Sequence, residues 1–277
     1  MGDQAGGALK VPGFGDVTRF STVDEQPDPG PFVGFLDLIN ALPEIQAVKQ
    51  RMITRLGLEP GQRVLDVGCG TGDDVRRLAG LVAPSGQAVG VDLSRAMVNE
   101  ARGRAAGSDL PVEFRQGDIT HLDFPDGSFD AARGERVLLH APDAAAAVAE
   151  LARVTRPGGR VVVFDLDMGM VALDHPDLAT TRRIMNALSD RVSNGCIGRQ
   201  LPRLFRQAGL GAVEVEPASV VLPPLPVMTG LLSAMLADRP EIIEPADLPA
   251  WLAPLQEAEQ AGHLFASAGG FIVSGTR

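Results

Sequence analysis

The chain has 277 residues, of which 45% are hydrophobic and 22% are charged, as is usual for a globular protein with a sizeable core. Its formal net charge of −10 at pH 7 argues against nucleic acid as a partner. Two cysteines are too few for a disulfide framework. No stretch has the pattern of a signal peptide or of a membrane-spanning helix, so we expect a cytoplasmic protein with no membrane partner.

The N-terminal region, residues 1–58, is predicted to be a lid followed by a helix. Residues 1–31 are rich in Gly and Pro and show no periodicity, so we expect this stretch to be mobile unless a ligand orders it. Its side chains Phe20 and Phe32 either pack on the domain surface or close over a ligand. Residues 43–57 form a predicted helix whose apolar residues fall on one face.

An apolar run with one acid precedes three alternating glycines. Val64–Val67, which contains Asp66, predicts a buried strand, and the glycines after it predict a tight turn: Gly68, Gly70 and Gly72. A helix predicted next completes the strand–turn–helix geometry that binds nucleotide-like ligands. The spacing differs from the Gly-x-Gly-x-x-Gly of dinucleotide sites. Asp66 is poorly placed beside a pyrophosphate, but it suits a ligand that carries positive charge.

The second predicted strand, residues 87–91, ends at Asp92. Because parallel strands end at the same edge of a sheet, Asp92 is expected beside the glycine turn. There its carboxylate can accept two hydroxyl hydrogen bonds from a ribose. The alternative is a helix N-cap, a role that Ser94 already fits.

Three further strands are predicted at residues 112–115, 129–132 and 160–164, with helices between them. Alternation of strands and helices predicts an α/β fold, with a Rossmann-like, doubly wound parallel sheet and helices on both faces.

A charged stretch follows the fourth predicted strand. It includes Arg133, Glu135 and Arg136, and His140 lies a turn or two farther on. Charges beside the end of a buried strand are costly unless they are paired or border a cleft.

Five features in order resemble the class I S-adenosylmethionine (SAM)-dependent methyltransferases: Asp66 with its glycines, Asp92, Gly117-Asp118, Phe129-Asp130 and Arg156-Pro157-Gly158-Gly159. Within that superfamily the chain looks most like small-molecule enzymes related to the ubiquinone/menaquinone-biosynthesis C-methyltransferases, as many natural-product methyltransferases do. The resemblance implies a SAM-binding domain over residues 59–277. Its sheet would have seven strands in the order 3-2-1-4-5-7-6, with the last strand antiparallel.

The resemblance also implies SAM as the cofactor and a set of residues around it. Asp118 would accept a hydrogen bond from the adenine amino group, while Ile119 and Leu93 would cover the two faces of the ring. The backbone carbonyl of Arg133 would face the methionine ammonium. Cys69 is interpreted as a small side chain in a tight turn. The full predicted cofactor set is Asp66, Gly68, Cys69, Gly70, Thr71, Gly72, Asp92, Leu93, Gly117, Asp118, Ile119 and Arg133.

Two insertions, at about residues 168–197 and 223–262, are expected to form helical lids. Their apolar side chains either complete the core or line a pocket for an apolar small molecule. We expect this acceptor pocket between the insertions and the N-terminal lid. The residues predicted to contact the acceptor are Phe20, Phe32, Glu135, Arg136 and His140.

His140 is the candidate catalytic base, with a plain helix-start role as the alternative, and the chain has no Tyr that could serve instead. Glu135 and Arg136 either line the acceptor site or simply pair with each other. Asp165 and Asp167 are an incomplete ligand set, so no metal is predicted.

The predicted function is methyl transfer from SAM to an apolar small molecule, in secondary metabolism. Two alternatives stay open. One is a non-methylating member of the fold, either a cyclase or a protein that only binds SAM. The other is an NAD-dependent oxidoreductase, which Asp66 and the glycine spacing disfavour.

Overall fold

The computed structural model describes residues 17–222, 228–236 and 239–277. Within these residues one sheet contains seven strands: β1 (Arg63–Val67), β2 (Gln87–Asp92), β3 (Val112–Gln116), β4 (Phe129–Glu135), β5 (Thr155–Leu173), β6 (Gly211–Leu222) and β7 (Ala266–Thr276). Their order is β3-β2-β1-β4-β5-β7-β6. The first five strands are parallel, and β7 runs antiparallel to both of its neighbours. The predicted Rossmann-like sheet, with its antiparallel last strand, is confirmed.

Helices cover both faces of this sheet. They are α1 (Gly30–Asn40), α2 (Pro43–Leu56), α3 (Asp73–Val82), α4 (Arg95–Ala105), α5 (Ala144–Val154), α6 (Leu178–Ser189), α7 (Ile197–Gln207), α8 (Met228–Leu236) and α9 (Leu248–Gln260). Apolar residues of α2, α3 and α4 share one core with the sheet, and those of α5 and α7 share the other. None of the helices in the described segments is long and apolar enough to cross a membrane.

The alternation of side chains along β1 places the only acid of the strand on a defined face. Leu65 and Val67 pack into the core with α5 and α7, whereas Val64 packs into the core with α2 and α3. Asp66 shares the face of Val64 because successive side chains of a strand point to opposite sides. Its carboxylate therefore faces α2 and α3.

The structure corrects three element boundaries. Residues 1–31 were expected to lack regular structure, but Val17–Glu25 is a 3-10 helix and α1 begins at Gly30. Pro31 lies in the first turn of α1, where its missing N–H costs nothing. Residues 1–16 lie outside the described part of the chain.

Strands β4 and β5 are longer than predicted. β4 continues to Glu135 because Arg133, Gly134 and Glu135 pair in register with residues 162–164 of β5. β5 continues to Leu173, since β7 pairs with it beyond the position where the prediction ended it. The charged residues predicted to follow β4 therefore begin inside the strand.

The predicted insertions converge in one helical unit. Helices α6, α8 and α9 share an apolar cluster that includes Ile184, Leu232 and Trp251. His175 stacks on the indole of Trp251 with ring centroids 5.2 Å apart, and the indole donates a hydrogen bond to the Thr181 hydroxyl. Residues 223–227 and 237–238 of the second insertion are outside the described segments.

Candidate functional site

A cavity of about 400 Å³ opens where β1, β2 and β4 end. It is lined by the turn after β1, the ends of β2 and β4, the loop after β3 and the N-terminal segment. Farther along, its wall is formed by residues of β5, β6 and α8. The carboxyl edge of a parallel sheet is where such folds bind ligands.

The glycine turn depends on backbone angles that other residues rarely adopt. Gly68, Gly70 and Gly72 have φ values of 66°, 50° and 76°. A Cβ on Gly68 would lie 2.3 Å from a methyl carbon of Val137, and one on Gly72 would lie 2.6 Å from the ring of Phe114. The turn therefore packs tightly against its neighbours, and Gly68 and Gly70 line the cavity with Cys69 and Thr71.

Asp92 lies on the cavity wall and also holds the glycine turn. Its carboxylate accepts hydrogen bonds from the Gly70 N–H at 2.8 Å and from the Ser94 N–H at 2.9 Å. Burial raises the pKa of Asp92, and these two bonds oppose the rise. Ser94 caps α4 by accepting from the Met97 N–H, so the helix cap and the cavity acid are separate residues.

The loop after β3 contributes Asp118 and Ile119 to the cavity, and Leu93 lies on the same wall. The Asp118 carboxylate accepts from the N–H and the hydroxyl of Thr120, both at 2.8 Å. Gly117 and Gly72 belong to the predicted cofactor set, but they do not line the cavity. These two glycines instead shape the backbone of the segments that form the cavity walls.

Six charged side chains meet at the floor of the cavity. We call them the charged cluster; its members are Lys49, Asp66, Asp74, Arg133, Glu135 and Arg136. All of them except Arg133 line the cavity. Sequence reasoning missed Lys49 and Asp74. Lys49 is 3% exposed and lies among the apolar residues of α2. Its place on the apolar face of a predicted helix was the sequence signal that could have indicated its burial.

The Arg133 guanidinium lies behind this floor. Arg133 is fully buried and pairs across the strands with Asp66 in the β1–β4 register. The prediction used its backbone carbonyl, whereas its side chain reaches three carboxylates, those of Asp66, Asp74 and Glu135. Among the described residues, its Nε and Nη1 have no hydrogen-bond partner.

The other end of the cavity is apolar. Phe20, Phe35, Leu36 and Ile39 line it from the N-terminal side, and they face side chains of the strand ends and α8: Met168, Val171, Val220, Leu222 and Met235. Phe32 was predicted to contact the acceptor. It lies instead beneath Phe20, with ring centroids 5.1 Å apart, in a small buried cluster with Val23 and Met97.

Arg136 and His140 stand between the two ends. Arg136 has a φ of 53°, a strained conformation for a residue with a side chain, and its N–H donates to the Phe164 carbonyl at 2.8 Å. Its guanidinium donates to the Asn40 side chain at 2.9 Å. Burial, and then the nearby Arg136, lower the pKa of His140 to about 4, so the imidazole is neutral at pH 7.

The two acids in the middle of β5 are used inside the fold. Asp165 accepts from the Leu138 N–H at 2.7 Å and so fixes the loop that carries Val137 and His140. Asp167 pairs with Arg199 of α7.

Comparison with known protein families identifies a domain in the central part of the chain. Residues 64–159 match the family described as "Methyltransferase domain". These residues form a methyltransferase domain with the class I, Rossmann-like fold. Those residues run from β1 into the start of β5, and they include the glycine turn, Asp92 and Asp118.

Relatives with names extend the match beyond this methyltransferase domain. An uncharacterised 37.1 kDa protein in transposon TN4556 of Streptomyces fradiae is 43% identical over 68% of this chain and 55% of its own length. The O-methyltransferase cnsE of Penicillium expansum is 35% identical over 58% of this chain and 56% of its own length. The ubiquinone/menaquinone biosynthesis C-methyltransferase UbiE of Saccharophagus degradans is 34% identical over 45% of this chain and 51% of its own. The chain thus spans about half the length of the curated relatives it matches.

A solved structure with a different activity has the same fold. The crystal structure of the [4+2]-cyclase SpnF superposes with a TM-score of 0.52 and 25% identity, over 83% of this chain and 80% of that one. The methyltransferase fold is therefore not confined to methyl transfer.

The methyltransferase domain suits SAM, the cofactor of class I methyltransferases, at Asp66. Asp66 is 3% exposed, yet among the described residues no group donates a hydrogen bond to its carboxylate, which borders the cavity. A buried carboxylate without a donor suits an ammonium ligand. Asp92 and Asp118 border the same space and suit hydroxyl and amino groups. A pyrophosphate beside the glycine turn would meet the carboxylates of Asp66 and Asp92.

Proposed function

We propose that this protein is a SAM-dependent methyltransferase whose acceptor is an apolar small molecule. The observation that carries the proposal is the division of one cavity into an acid-lined end beside the glycine turn and an apolar end beneath the N-terminal segment. An acidic end suits a cofactor with an ammonium and a sulfonium. An apolar end suits an acceptor that gains free energy by leaving water.

The chemistry that SAM supplies when bound is an activated methyl group, which a nucleophile takes in one displacement. The residues of this chain have to align the acceptor and exclude water. Asp66, Asp92 and Asp118 would hold the cofactor at three separated points, so that its position is fixed before the acceptor enters. Phe20 and the apolar residues opposite it would keep water from the acceptor.

His140 is the base that the cavity offers to an acceptor with a removable proton. Its ring lies 5.7 Å from that of Phe20, so it borders the apolar end. A neutral imidazole can accept a proton, and the positive Arg136 beside it disfavours keeping that proton. His140 is therefore best suited to acceptors whose proton leaves easily.

The named relatives support a role in the synthesis of small molecules. One is an O-methyltransferase from a fungus, and another acts in quinone biosynthesis. We place the protein in secondary metabolism, with an aromatic or enolic compound as the acceptor.

The direct test is transfer of label. The purified protein is incubated with SAM carrying a radioactive methyl group and a panel of hydrophobic phenols, enols and amines, and label is counted in the organic extract. We expect label in at least one product and S-adenosylhomocysteine in equal amount. Binding of NAD in preference to SAM would exclude the proposed cofactor.

A cyclase is the second candidate, favoured by the structural likeness to SpnF. The same incubation separates the two activities. A cyclase changes the chromatographic mobility of its substrate without changing its mass and leaves SAM unconsumed, whereas a methyltransferase adds the mass of one methylene group.

A further inference from the structure

The charged cluster is neutral in sum but unevenly paired. Glu135 accepts from Lys49 at 2.9 Å and from Arg133 at 2.5 Å, and its other oxygen lies 3.1 Å from Arg136. Asp74 pairs with Lys49 and lies 3.4 Å from Arg133. In the described part of the chain, the ion pair of Asp66 is with the Nε of Arg133, at 3.4 Å. Of the three acids, Asp66 is the least neutralised.

Arg133 is the cation that interacts with Asp66 from the side away from the cavity. The two residues are partners across β1 and β4, so their side chains lie on the same face of the sheet. Arg133 is fully buried and does not border the cavity, whereas the Asp66 carboxylate does. The Nε and Nη1 groups of Arg133 form no hydrogen bond within the described residues, so this edge is held by charge alone.

Lys49 leaves the Nε edge of the Arg133 guanidinium free to interact with Asp66. By binding both Asp74 and Glu135, Lys49 supplies charge to the two acids that would otherwise compete for Arg133. An uncompensated carboxylate in a buried site takes up a proton. Removing Arg133 would leave Asp66 buried beside two other acids with no adjacent cation.

The groups that face Asp66 come from every element packed against it. Arg133 and Glu135 belong to β4, Asp74 to α3 and Lys49 to α2. Burial raises the pKa of Asp66 to about 7; Arg133 and then Lys49 oppose this rise, while Asp74 and Glu135 add to it. The Cys69 thiol of the glycine turn, which also lies near Asp66, has a raised pKa and is uncharged at neutral pH.

We propose that Arg133 is a positioning residue that favours the negatively charged form of Asp66 at the cavity wall, so that the cofactor's ammonium is recognised by charge, and that Lys49 supports it by neutralising Asp74 and Glu135. The inference rests on the proposed function, because it takes SAM as the ligand. It predicts that Arg133, which does not border the cavity, sets the pH range in which Asp66 can bind SAM.

The test compares two ligands by calorimetry between pH 6 and pH 9. One is SAM, and the other is 5′-methylthioadenosine, which keeps the adenosine and the thioether but has no ammonium. For Arg133→Met we expect about fivefold weaker SAM binding at pH 7, because a rise of about one unit in the Asp66 pKa lowers its ionised fraction from about one half to about one tenth, and the ratio to the wild type should recover toward pH 9. Binding of methylthioadenosine stays unchanged, and Arg133→Lys stays close to the wild type.

Arg160→Met is the matched control. Arg160 lies on β5 and bonds to Ser274 and Thr276, away from the cavity, so its loss leaves both ligands unaffected. Equal losses for SAM and methylthioadenosine in Arg133→Met, or a SAM profile that keeps its wild-type pH dependence, would overturn the inference. If neither ligand binds the wild type, the proposed function fails instead.

A measurement on the wild type covers the case in which Arg133→Met does not fold. SAM binding at pH 7 in two buffers of different ionisation enthalpy gives the number of protons released. We expect a net release of protons with SAM, because a carboxyl with a pKa near 7 is partly protonated there and must ionise to bind the ammonium, and none with methylthioadenosine. Absence of release with SAM would overturn the inference.

Discussion

At the scale of single residues, Asp92 has two tasks. Its carboxylate holds the Gly70 and Ser94 amides and also borders the cavity. Asp92→Ala should weaken SAM binding by about 1.5–3 kcal/mol, as expected when a charged hydrogen-bond partner is lost. Calorimetry measures the change, with the exposed Asp109→Ala as control. An unchanged dissociation constant would remove Asp92 from the cofactor site.

His140 provides a pH prediction. Its pKa in the folded protein is about 4, below the value of about 6.5 for an unfolded chain. The neutral form is therefore favoured by folding, and the stability it contributes above pH 6.5 is lost as the pH falls toward 4. In an NMR titration, the ring signals of His140, assigned with His140→Gln, should stay constant from pH 8 to pH 5.5. A midpoint near 6.5 would contradict the buried, neutral imidazole.

The residues that sequence reasoning missed are those whose partners are distant in the chain. Asp66, Asp92 and Asp118 could be predicted because each lies in a strand or just after one, in a recognisable local pattern. Lys49 could not, since its partners Asp74 and Glu135 lie 25 and 86 residues away. Only the packing of α2 against the sheet brings them together. The position of Phe32 beneath Phe20 likewise depends on how α1 folds back.

At the scale of elements, the Asp24 side chain fastens the N-terminal segment, Val17–Glu25, to the start of α4. Asp24 accepts from the Ser94 hydroxyl at 2.6 Å, the Arg95 N–H at 2.8 Å and the Ala96 N–H at 3.1 Å. These are free donors of a helix N-terminus, so a carboxylate from another segment acts as an additional cap. The segment and the loop after Asp92 are thereby linked.

Asp24→Ala should loosen this link. We expect a loss of about 1 kcal/mol in the free energy of unfolding, the usual cost of a missing cap, and faster amide exchange over Val17–Glu25. Urea unfolding and hydrogen-exchange mass spectrometry measure the two effects. Glu25→Ala changes an exposed neighbour and should leave both unaffected. Equal exchange rates in the two variants would show that Asp24 does not hold the segment.

Deleting the segment tests its role as a roof. Removal of residues 1–29 keeps α1 whole but takes away Phe20, which lines the apolar end of the cavity. Turnover should be abolished, because water would reach the acceptor, while SAM binding persists through Asp66 and Asp118. Normal turnover by the shortened protein would mean that the acceptor is enclosed by other residues.

At the scale of the whole molecule, the ligand and the fold are coupled through the cavity. The glycine turn, β2 and β4 all border the proposed cofactor site, so binding should stabilise the sheet and not one loop. A concentration of S-adenosylhomocysteine one hundred times its dissociation constant stabilises by about 2.7 kcal/mol. The melting temperature should then rise by roughly 5–10 °C. A melting curve unaffected by the ligand would contradict binding at this site.

The sheet was predictable because its evidence is local and repeated. Each strand that carries a motif could be recognised from its apolar run and the turn that follows, and the resemblance supplied the order of the last strands. Strand ends were less predictable. β4 and β5 extend because their neighbours pair with them, which is a property of the assembled sheet and not of the segment. Helix α1 was missed because Gly and Pro at its start indicated a loop.

The helical unit formed by α6, α8 and α9 also contains an indole whose fluorescence can report on the cavity. The chain has one Trp and no Tyr, so its near-ultraviolet fluorescence comes almost entirely from one indole. That indole, Trp251, shares its apolar cluster with Met235, a residue of the cavity's apolar end. Emission should therefore change when an acceptor fills that end and stay nearly constant when SAM alone binds. Binding of the acceptor can thus be followed in the unlabelled protein without interference from SAM.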